Sequence, residues 1–416
     1  MIADTDSLLC IGLMSGTSMD GVDGVLLAIT PADTATTAPT ITPATTPPAS
    51  PAPLPGTLRP ATPGGWQLRQ LAAANTPMPA ALKEELLALN TAAENELHRA
   101  ALAANALMRL YAQCVHTLCA QADVAPQHIA IIGAHGQTVR HRPGLFDGTG
   151  YTLQLVNGAL LAELTGIPVA CDFRSRDLAA GGQGAPLVPV FHQALWGAAH
   201  GSHTNAHSAG LAVLNLGGIA NLSILRPRHG ALGFDCGPAN ALLDAWCQRH
   251  TGQPYDADGA WAAQGQVHTG LLAQMLAEPF IQQAPPKSTG RDLYNPQWLA
   301  QQLAGFAHLA PVDVQATLTA YTAQAAALHV QRFAPAIQRL IVCGGGVRNG
   351  TLMRQLEAAL PSVQVLSSQA LGVDPQTVEA SAFAWLGLHT LQRLPLDMQA
   401  ITGARGARVL GCLYPA

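Results

Sequence analysis

Three short segments put glycine where an apolar run ends, with hydroxyls or carboxylates beside it. Gly16, Thr17, Ser18, Met19, Asp20, Gly21, Val22 and Asp23 follow the run Ser7–Met14. Gly217 and Gly218 follow Leu211–Leu216, and Gly344, Gly345 and Gly346 follow Arg339–Cys343. Glycine lacks a Cβ, so its backbone N–H can approach phosphate oxygens closely. Ser15, Thr17 and Ser18 can add hydroxyl donors. One such turn usually just reverses the chain. Three, each after a buried-strand pattern, point to ATP held between loops from two domains. No Gly-Lys-Ser/Thr closes any of them, which excludes a Walker-type loop, and none fits the dinucleotide fingerprint.

Asp235 is the candidate base. It lies in Gly233-Phe-Asp-Cys-Gly-Pro-Ala-Asn240, directly ahead of an apolar helical stretch. A carboxylate near helix N–H groups stays ionised and can take a proton from a hydroxyl or water at a phosphate site. The plainer alternative is a helix cap, with Pro238 in the first turn. Asp172-Phe-Arg-Ser-Arg-Asp177 follows a strand and precedes Gly181-Gly-Gln-Gly-Ala-Pro186. Arginine beside aspartate can grip hydroxyls and a carboxylate, or form an ion-paired surface turn. His135 and Gln137 offer imidazole and amide groups to sugar hydroxyls; the alternative is a satisfied structural histidine.

These residues need strands to end beside them. Ser7–Met14, Ile129–Ala134, Ile167–Cys171, Leu211–Leu216 and Arg339–Cys343 all read as buried strands, with 221–225 returning from the Gly-Gly turn. Leu82, Leu86, Leu89, Leu97, Leu107 and Leu110 predict one or two amphipathic helices. Strands alternating with helices give an α/β layout. Pro, Thr and Ala dominate 31–65, which predicts a flexible surface insertion. His200, His203 and His207 lie in a small, polar stretch, 197–210. They could bind a metal but are read as decorating a solvated loop. The strand-glycine units of the two halves look alike in kind.

Composition narrows the class. The 416 residues suggest two domains. Apolar residues make up 49%, charged residues 11%, and the net charge is −4. No basic patch announces nucleic acid. No apolar run is long enough to span a bilayer. Met1–Leu9 carries Asp4 and Asp6 and no Lys or Arg, unlike a secretory signal. Leu8-Leu9-Cys10 lies too close to Met1 for a lipoprotein leader. The eight cysteines are scattered and include no Cys-x-x-Cys pair, which fits a reducing cytoplasm and no zinc knuckle.

Together the motifs resemble the anhydro-N-acetylmuramic acid kinase family. The matching pieces are Met14-Ser-Gly-Thr-Ser-Met-Asp-Gly-Val-Asp23, His135-Gly-Gln-Thr138, Asp172-Phe-Arg174, Gly181-Gly-Gln-Gly-Ala-Pro186, Leu216-Gly-Gly-Ile-Ala-Asn221, Pro286-Lys-Ser-Thr-Gly-Arg291, Asp313-Val-Gln-Ala-Thr317 and Cys343-Gly-Gly-Gly346. They run in family order across nearly the whole chain. The resemblance implies a two-lobed, actin-like ATPase fold with an interlobe cleft. It also implies use of ATP with Mg²⁺ to open 1,6-anhydro-N-acetylmuramic acid with water and phosphorylate O6, in bacterial cell-wall recycling. It maps phosphate binding onto Gly16–Asp23, the catalytic aspartate onto Asp235, and sugar contacts onto Arg176 and Glu379. Asp20 is the expected carboxylate nearest Mg²⁺. A homodimer is the family expectation. Cys236 and Ala239 replace the usual Thr and Gly around Asp235, and Ser175 stands where Arg is common.

The expected lobes are 1–196, joined by 396–416, and a nucleotide-binding lobe over 211–395. Two other classes share parts of this pattern. Gly16-Thr-Ser-Met19 looks like a subtilisin nucleophile segment, but no His precedes Ser18. A non-catalytic sugar sensor, or a different sugar kinase on the same fold, would share the loops; a sensor would not need Asp235.

Overall fold

The computed structural model describes residues 7–16, 19–31, 42–43, 65–197, 210–226 and 230–416. The first half holds the strands β1 Leu8–Met14, β2 Gly21–Pro31, β3 Thr42–Pro43, β4 Trp66–Pro77, β5 Ile129–Ala134, β6 Gln137–Pro143, β7 Gly150–Leu155 and β8 Val169–Cys171, of which β1, β5 and β8 are almost wholly apolar. The second half supplies β9 Leu211–Leu216, β10 Ile219–Arg226, β11 Gly230–Pro238, β12 Arg339–Cys343, β13 Gln364–Ser367 and β14 Cys412–Tyr414. The strands expected from sequence are present at β1, β5, β8, β9, β10 and β12.

The strands make two sheets, β14-β8-β5-β1-β2-β4-β3 and β11-β10-β9-β12-β13, plus the separate hairpin β6–β7. The same plan occurs in both. An antiparallel hairpin, β1–β2 or β9–β10, gains a third antiparallel strand on one side, β4 or β11. On the other side it gains two parallel strands, β5 and β8 or β12 and β13. The likeness between the strand-glycine units thus extends to whole sheets.

Helices form three layers around the sheets. Glu96–Ala122 covers the outer face of the first sheet. Pro311–Phe333 and Gly350–Ala359 cover the outer face of the second. Between the sheets, Val378–Leu391 lies on β1 and β5, while Val188–Trp196 lies on β10 and β11. These two helices meet through Phe191 and Trp385, with ring centroids 5.9 Å apart. Burial on both faces explains why β1 and β9 are almost continuously apolar rather than alternating.

The middle layer is tight. A Cβ at Gly12 would sit 1.8 Å from Ala380 O, and one at Gly133 would sit 1.8 Å from Phe383 O. Only glycine lets the Val378–Leu391 backbone come so near the strands. The lobe expected over 211–395 therefore contributes its last helix to the face of the first sheet. β14 also pairs with the first sheet, through β8.

Within the expected insertion, Thr42–Pro43 pairs with Arg69 and Gln70 of β4. The remainder of that insertion, at 32–41 and 44–64, lies outside the described residues, as do 198–209, including His200, His203 and His207. Among the described residues no helix is long and apolar enough to cross a membrane.

Candidate active site

The loops expected to hold a nucleotide converge on a cleft of about 800 Å³ between the two sheets. The β1–β2 loop enters it first. Ser15 Oγ donates to Gln137 Oε1, and Gln137 Nε2 donates to Gly16 O at 3.3 Å. Met19 takes a left-handed φ of 54° and buries its side chain. That turn leaves Asp20 exposed, ion-paired to Lys83 at 3.0 Å. Asp23, on the first residues of β2, accepts from Asn75 Nδ2 at 2.8 Å. Burial raises its carboxyl above the usual range; the Asn75 bond opposes this and the charge of Asp20 adds to it.

The second half supplies the facing wall. The carbonyls of Gly217 and Gly218 accept from the backbone N–H groups of Asn240 and Ala239, at 3.0 Å each. They thereby satisfy donors that would be orphaned at the start of the Asn240–Thr251 helix. Gly344 has φ 81°, and a Cβ there would come within 2.5 Å of Asn215 Oδ1. Backbone thus lines this wall closely.

Asp235 lies on β11 opposite Asn221 of β10, next to a bulge in their pairing. It is 5% exposed. Its Oδ2 accepts from Thr289 N at 2.8 Å. The helix starts only at Asn240, after Pro238 has closed the strand. The cap alternative fails on this geometry, and so does the idea that helix N–H groups hold the carboxylate ionised. Burial instead pushes it up to about 7, against the Thr289 bond and the charges of Arg174 and Lys287.

Arg174 is one of the arginines lining the cleft. Its Nη1 donates to Gly184 O at 2.8 Å and its Nη2 lies 2.9 Å from His135 Nε2. Desolvation and this guanidinium drop His135 to about 3, so its imidazole is neutral and Nε2 accepts. Glu379 reaches the cleft from the first turn of the middle-layer helix Val378–Leu391. Burial raises it to about 7; the charge of Asp23 adds to this, while Arg174 and a bond from Asn215 oppose it. Two carboxyls of near-neutral pKa therefore share one arginine.

Of the residues singled out from sequence, Gly16, Met19, Asp20, Gly21, Asp23, His135, Gln137, Gly217, Gly218, Asp235, Gly344, Gly345 and Glu379 line the cleft. Thr17 and Ser18 lie outside the described residues. Val22 is fully buried in the core beneath the loop, and Gly346 lies against Leu216. Arg176 is exposed and away from the cleft. Asp177 is buried, accepting from Thr402 Oγ1 and Gly184 N at 2.8 and 2.7 Å, so it braces the 181–186 loop. Gln137 fastens the β1–β2 loop with the amide that was expected to meet a sugar.

A sequence profile of the anhydro-N-acetylmuramic acid kinase family matches residues 63–416. The chain belongs to this family. A relative from Albidiferax ferrireducens, named anhydro-N-acetylmuramic acid kinase, is 52% identical over 98% of this chain and 99% of its own. One of the same name from Bordetella parapertussis is 54% identical over 98% of this chain and 96% of its own. Solved structures overlap the chain more loosely. A component of (R)-2-hydroxyglutaryl-CoA dehydratase from Acidaminococcus fermentans is 11% identical, with a TM-score of 0.44 over 92% of this chain and 99% of its own.

Sequence reasoning missed several cleft residues of this family member. Arg174 lies in the motif Asp172-Phe-Arg174, but the family resemblance points to Arg176, two residues on, for the sugar-side charge. Arg174 precedes the short helix Ser175–Ala179 and faces in, while Arg176 turns outward with the helix. Thr289, Arg291 and Asp292 also line the cleft. The motif Pro286–Arg291 was the signal for the first two. Asp244, raised to about 7 by burial and the charge of Asp20, had none.

Proposed function

We propose that this chain is an ATP-dependent kinase acting on 1,6-anhydro-N-acetylmuramic acid. It opens the anhydro bridge with water and phosphorylates O6, giving N-acetylmuramic acid 6-phosphate and ADP in peptidoglycan recycling. The observation that carries the mechanism is Asp235, a buried carboxylate on the cleft wall facing the charge of Arg174. A base is most effective with a pKa near the working pH, and a value of about 7 meets that.

In the proposed reaction Asp235 takes a proton from the water attacking the anomeric carbon. The bridge C–O bond breaks, and the electron pair leaves with O6. That oxygen attacks the γ-phosphorus of ATP and ADP departs. Asn221, opposite Asp235 in register, has a buried Oδ1 without a partner among the described residues and lines the cleft, so it can orient the water. Arg174 stabilises charge developing on the transferred oxygens. His135 keeps the guanidinium in place, and Glu379 meets sugar hydroxyls. The glycines at 16, 217, 218, 344 and 345 bring backbone close to the phosphates. Beyond positioning, little covalent chemistry is asked of the protein.

The donor set fits Mg²⁺. Asp20 and Asp23 lie near enough for one carboxylate to raise the other, and both line the cleft. A cation relieves that repulsion, and Mg²⁺ on a nucleotide needs only one or two carboxylates besides its waters. Asp20, with Asp23, would hold it there, where it would offset phosphate charge. Because Val378–Leu391 packs on β1 and β5, the lobes proposed move that helix from the expected 211–395 to the first lobe, giving 1–196 with 378–416, and 211–377.

The test is mass spectrometry of products formed from anhydrosugar, ATP and Mg²⁺ in heavy-oxygen water. The expected product carries one phosphoryl group and one heavy oxygen. A phosphorylated sugar still bearing its anhydro bridge would sink the proposal.

A further inference from the structure

Behind Asp235 lies a buried ammonium group that the mechanism above does not use. Lys287 is 3% exposed. Among the described residues it forms no ion pair at contact distance. Its Nζ donates to Phe280 O at 2.8 Å and to Ile281 O at 3.4 Å, and lies 2.8 Å from His329 Nε2. The Phe280 ring lies beneath it, 4.5 Å from Nζ to centroid. His329 Nδ1 is 2.6 Å from Ala325 O and must donate to it. That fixes the tautomer, leaving Nε2 bare to accept from the lysine.

The charge is therefore fixed by neutral acceptors alone. An ammonium moved out of water needs a compensating anion or it loses its proton. The acidic groups that act on Lys287 are Asp235 and Cys236. The same chain segment also grips Asp235 directly. Lys287 O accepts from Asp235 N at 3.2 Å, and two residues on Thr289 N donates to Asp235 Oδ2.

We infer that Lys287, steadied by His329, is a positioning residue for the proposed reaction. Its charge keeps the Asp235 carboxylate ionised, while the 287–289 backbone holds it in place. The inference rests on Asp235 being the base. Asp235 is also faced by Arg174 across the cleft and by the neighbouring Cys236 thiol, and Glu379 shares Arg174. Arg332 acts on Lys287 with like charge. Burial lowers Lys287 to about 8, so it is still largely charged when Asp235 titrates near 7.

The experiment is the pH profile of kcat/KM for the wild type, Lys287→Met, Lys287→Arg and His329→Leu, with Asp235→Asn as control. Lys287→Met is expected to move the acid limb up by about one pH unit, a ~tenfold loss below that limb that alkaline pH restores. Lys287→Arg keeps the charge and should return the limb toward wild type. His329→Leu should shift it the same way by less. A folded Lys287→Met protein with an unmoved limb overturns the inference. Should that variant not fold, an unmoved limb in His329→Leu does so. If Asp235→Asn retains turnover, the base assignment itself falls; if it is dead while no limb moves, only the role of Lys287 is lost.

Discussion

The two sheets each place an aspartate and an asparagine side by side at matching register positions, but exchange them between the middle and the outer strand. In the first, Met14 of β1, Asp23 of β2 and Asn75 of β4 lie side by side. In the second, Asn215 of β9, Asn221 of β10 and Asp235 of β11 do so. The carboxylate is on the middle strand in one half and on the outer strand in the other. Asp23 is bonded across the ladder by Asn75 and stands with Asp20 at the mouth of the loop. Asp235 instead receives a backbone N–H from a segment outside the sheet and faces Arg174. One plan thus gives a carboxylate suited to holding a cation and another suited to moving a proton.

The sharpest way to break this contrast is to neutralise each carboxylate in turn. Asp235→Asn keeps shape and removes the base, so kcat should fall by ~10²–10⁴. Asp23→Asn should cost about tenfold, expressed chiefly in KM for ATP. Steady-state kinetics on both substrates measures this. Equal losses in kcat from the two variants would erase the distinction between the halves.

The halves also differ in how a helix covers each sheet. Val378–Leu391 approaches β1 and β5 so closely that Gly12 and Gly133 are required. Pro311–Phe333 covers the second sheet with buried alanines instead, among them Ala323, Ala326 and Ala327. Gly133→Ala would drive a Cβ into the Phe383 carbonyl, and the backbone must shift to admit it. The expected loss is ~3 kcal/mol, the upper end for overpacking. Ala326→Gly should cost about 1 kcal/mol, from helix propensity and a lost methyl. Denaturant melts compare them, and equal losses would mean the close approach is not what Gly133 serves.

A third contrast is in pH. Asp235 and Glu379 are both raised to about 7 in the folded chain. Unfolded, they titrate near 4. The folded state therefore binds more protons between those values, and stability should fall as pH rises from about 4 to about 7. Melting temperature should be higher at the acid end of that window than at the neutral end. The double variant Asp235→Asn, Glu379→Gln should lessen the slope, Asp244, also raised to about 7, keeping a share of it. An unchanged slope would show that neither carboxyl is held so high.

Local pattern made most of the fold legible. Apolar runs closing on glycine located β1, β9 and β12, because fully buried strands cannot hide in sequence. The repeat of one sheet plan was visible only as a likeness between strand-glycine units; pairing order is a long-range property. Asp235 was legible by type but not by setting. The cap reading fell because β11 runs on to Pro238 and the helix begins only at Asn240, five residues past Asp235. Arg174 and Arg176 differ by half a helical turn, and composition could not say which faced inward. Lys287 and His329 are 42 positions apart, so only the folded chain brings them together behind Asp235.

Smallest of all should be the effect of the bridge that joins the halves at the rim. The β6–β7 hairpin belongs to neither sheet, and Arg140 ties it to the first half by an ion pair with Glu96 at 2.7 Å. Its next residues reach across. His141 Nε2 lies 3.3 Å from Ser288 Oγ, and Arg142 pairs with Asp292 at 3.1 Å. Both partners flank Thr289, the donor to Asp235. The Arg142–Asp292 pair is about one-third exposed on each side, so screening limits its strength. Arg142→Ala should therefore raise KM for the anhydrosugar only ~2–5-fold, within the range of an exposed ion pair, and leave kcat alone. Combining Arg142→Asp with Asp292→Arg should recover most of the loss, and high salt should shrink it. If kcat fell instead, the rim contact would be setting the geometry of Asp235 through Thr289, and the two halves would be coupled in catalysis as well as in binding.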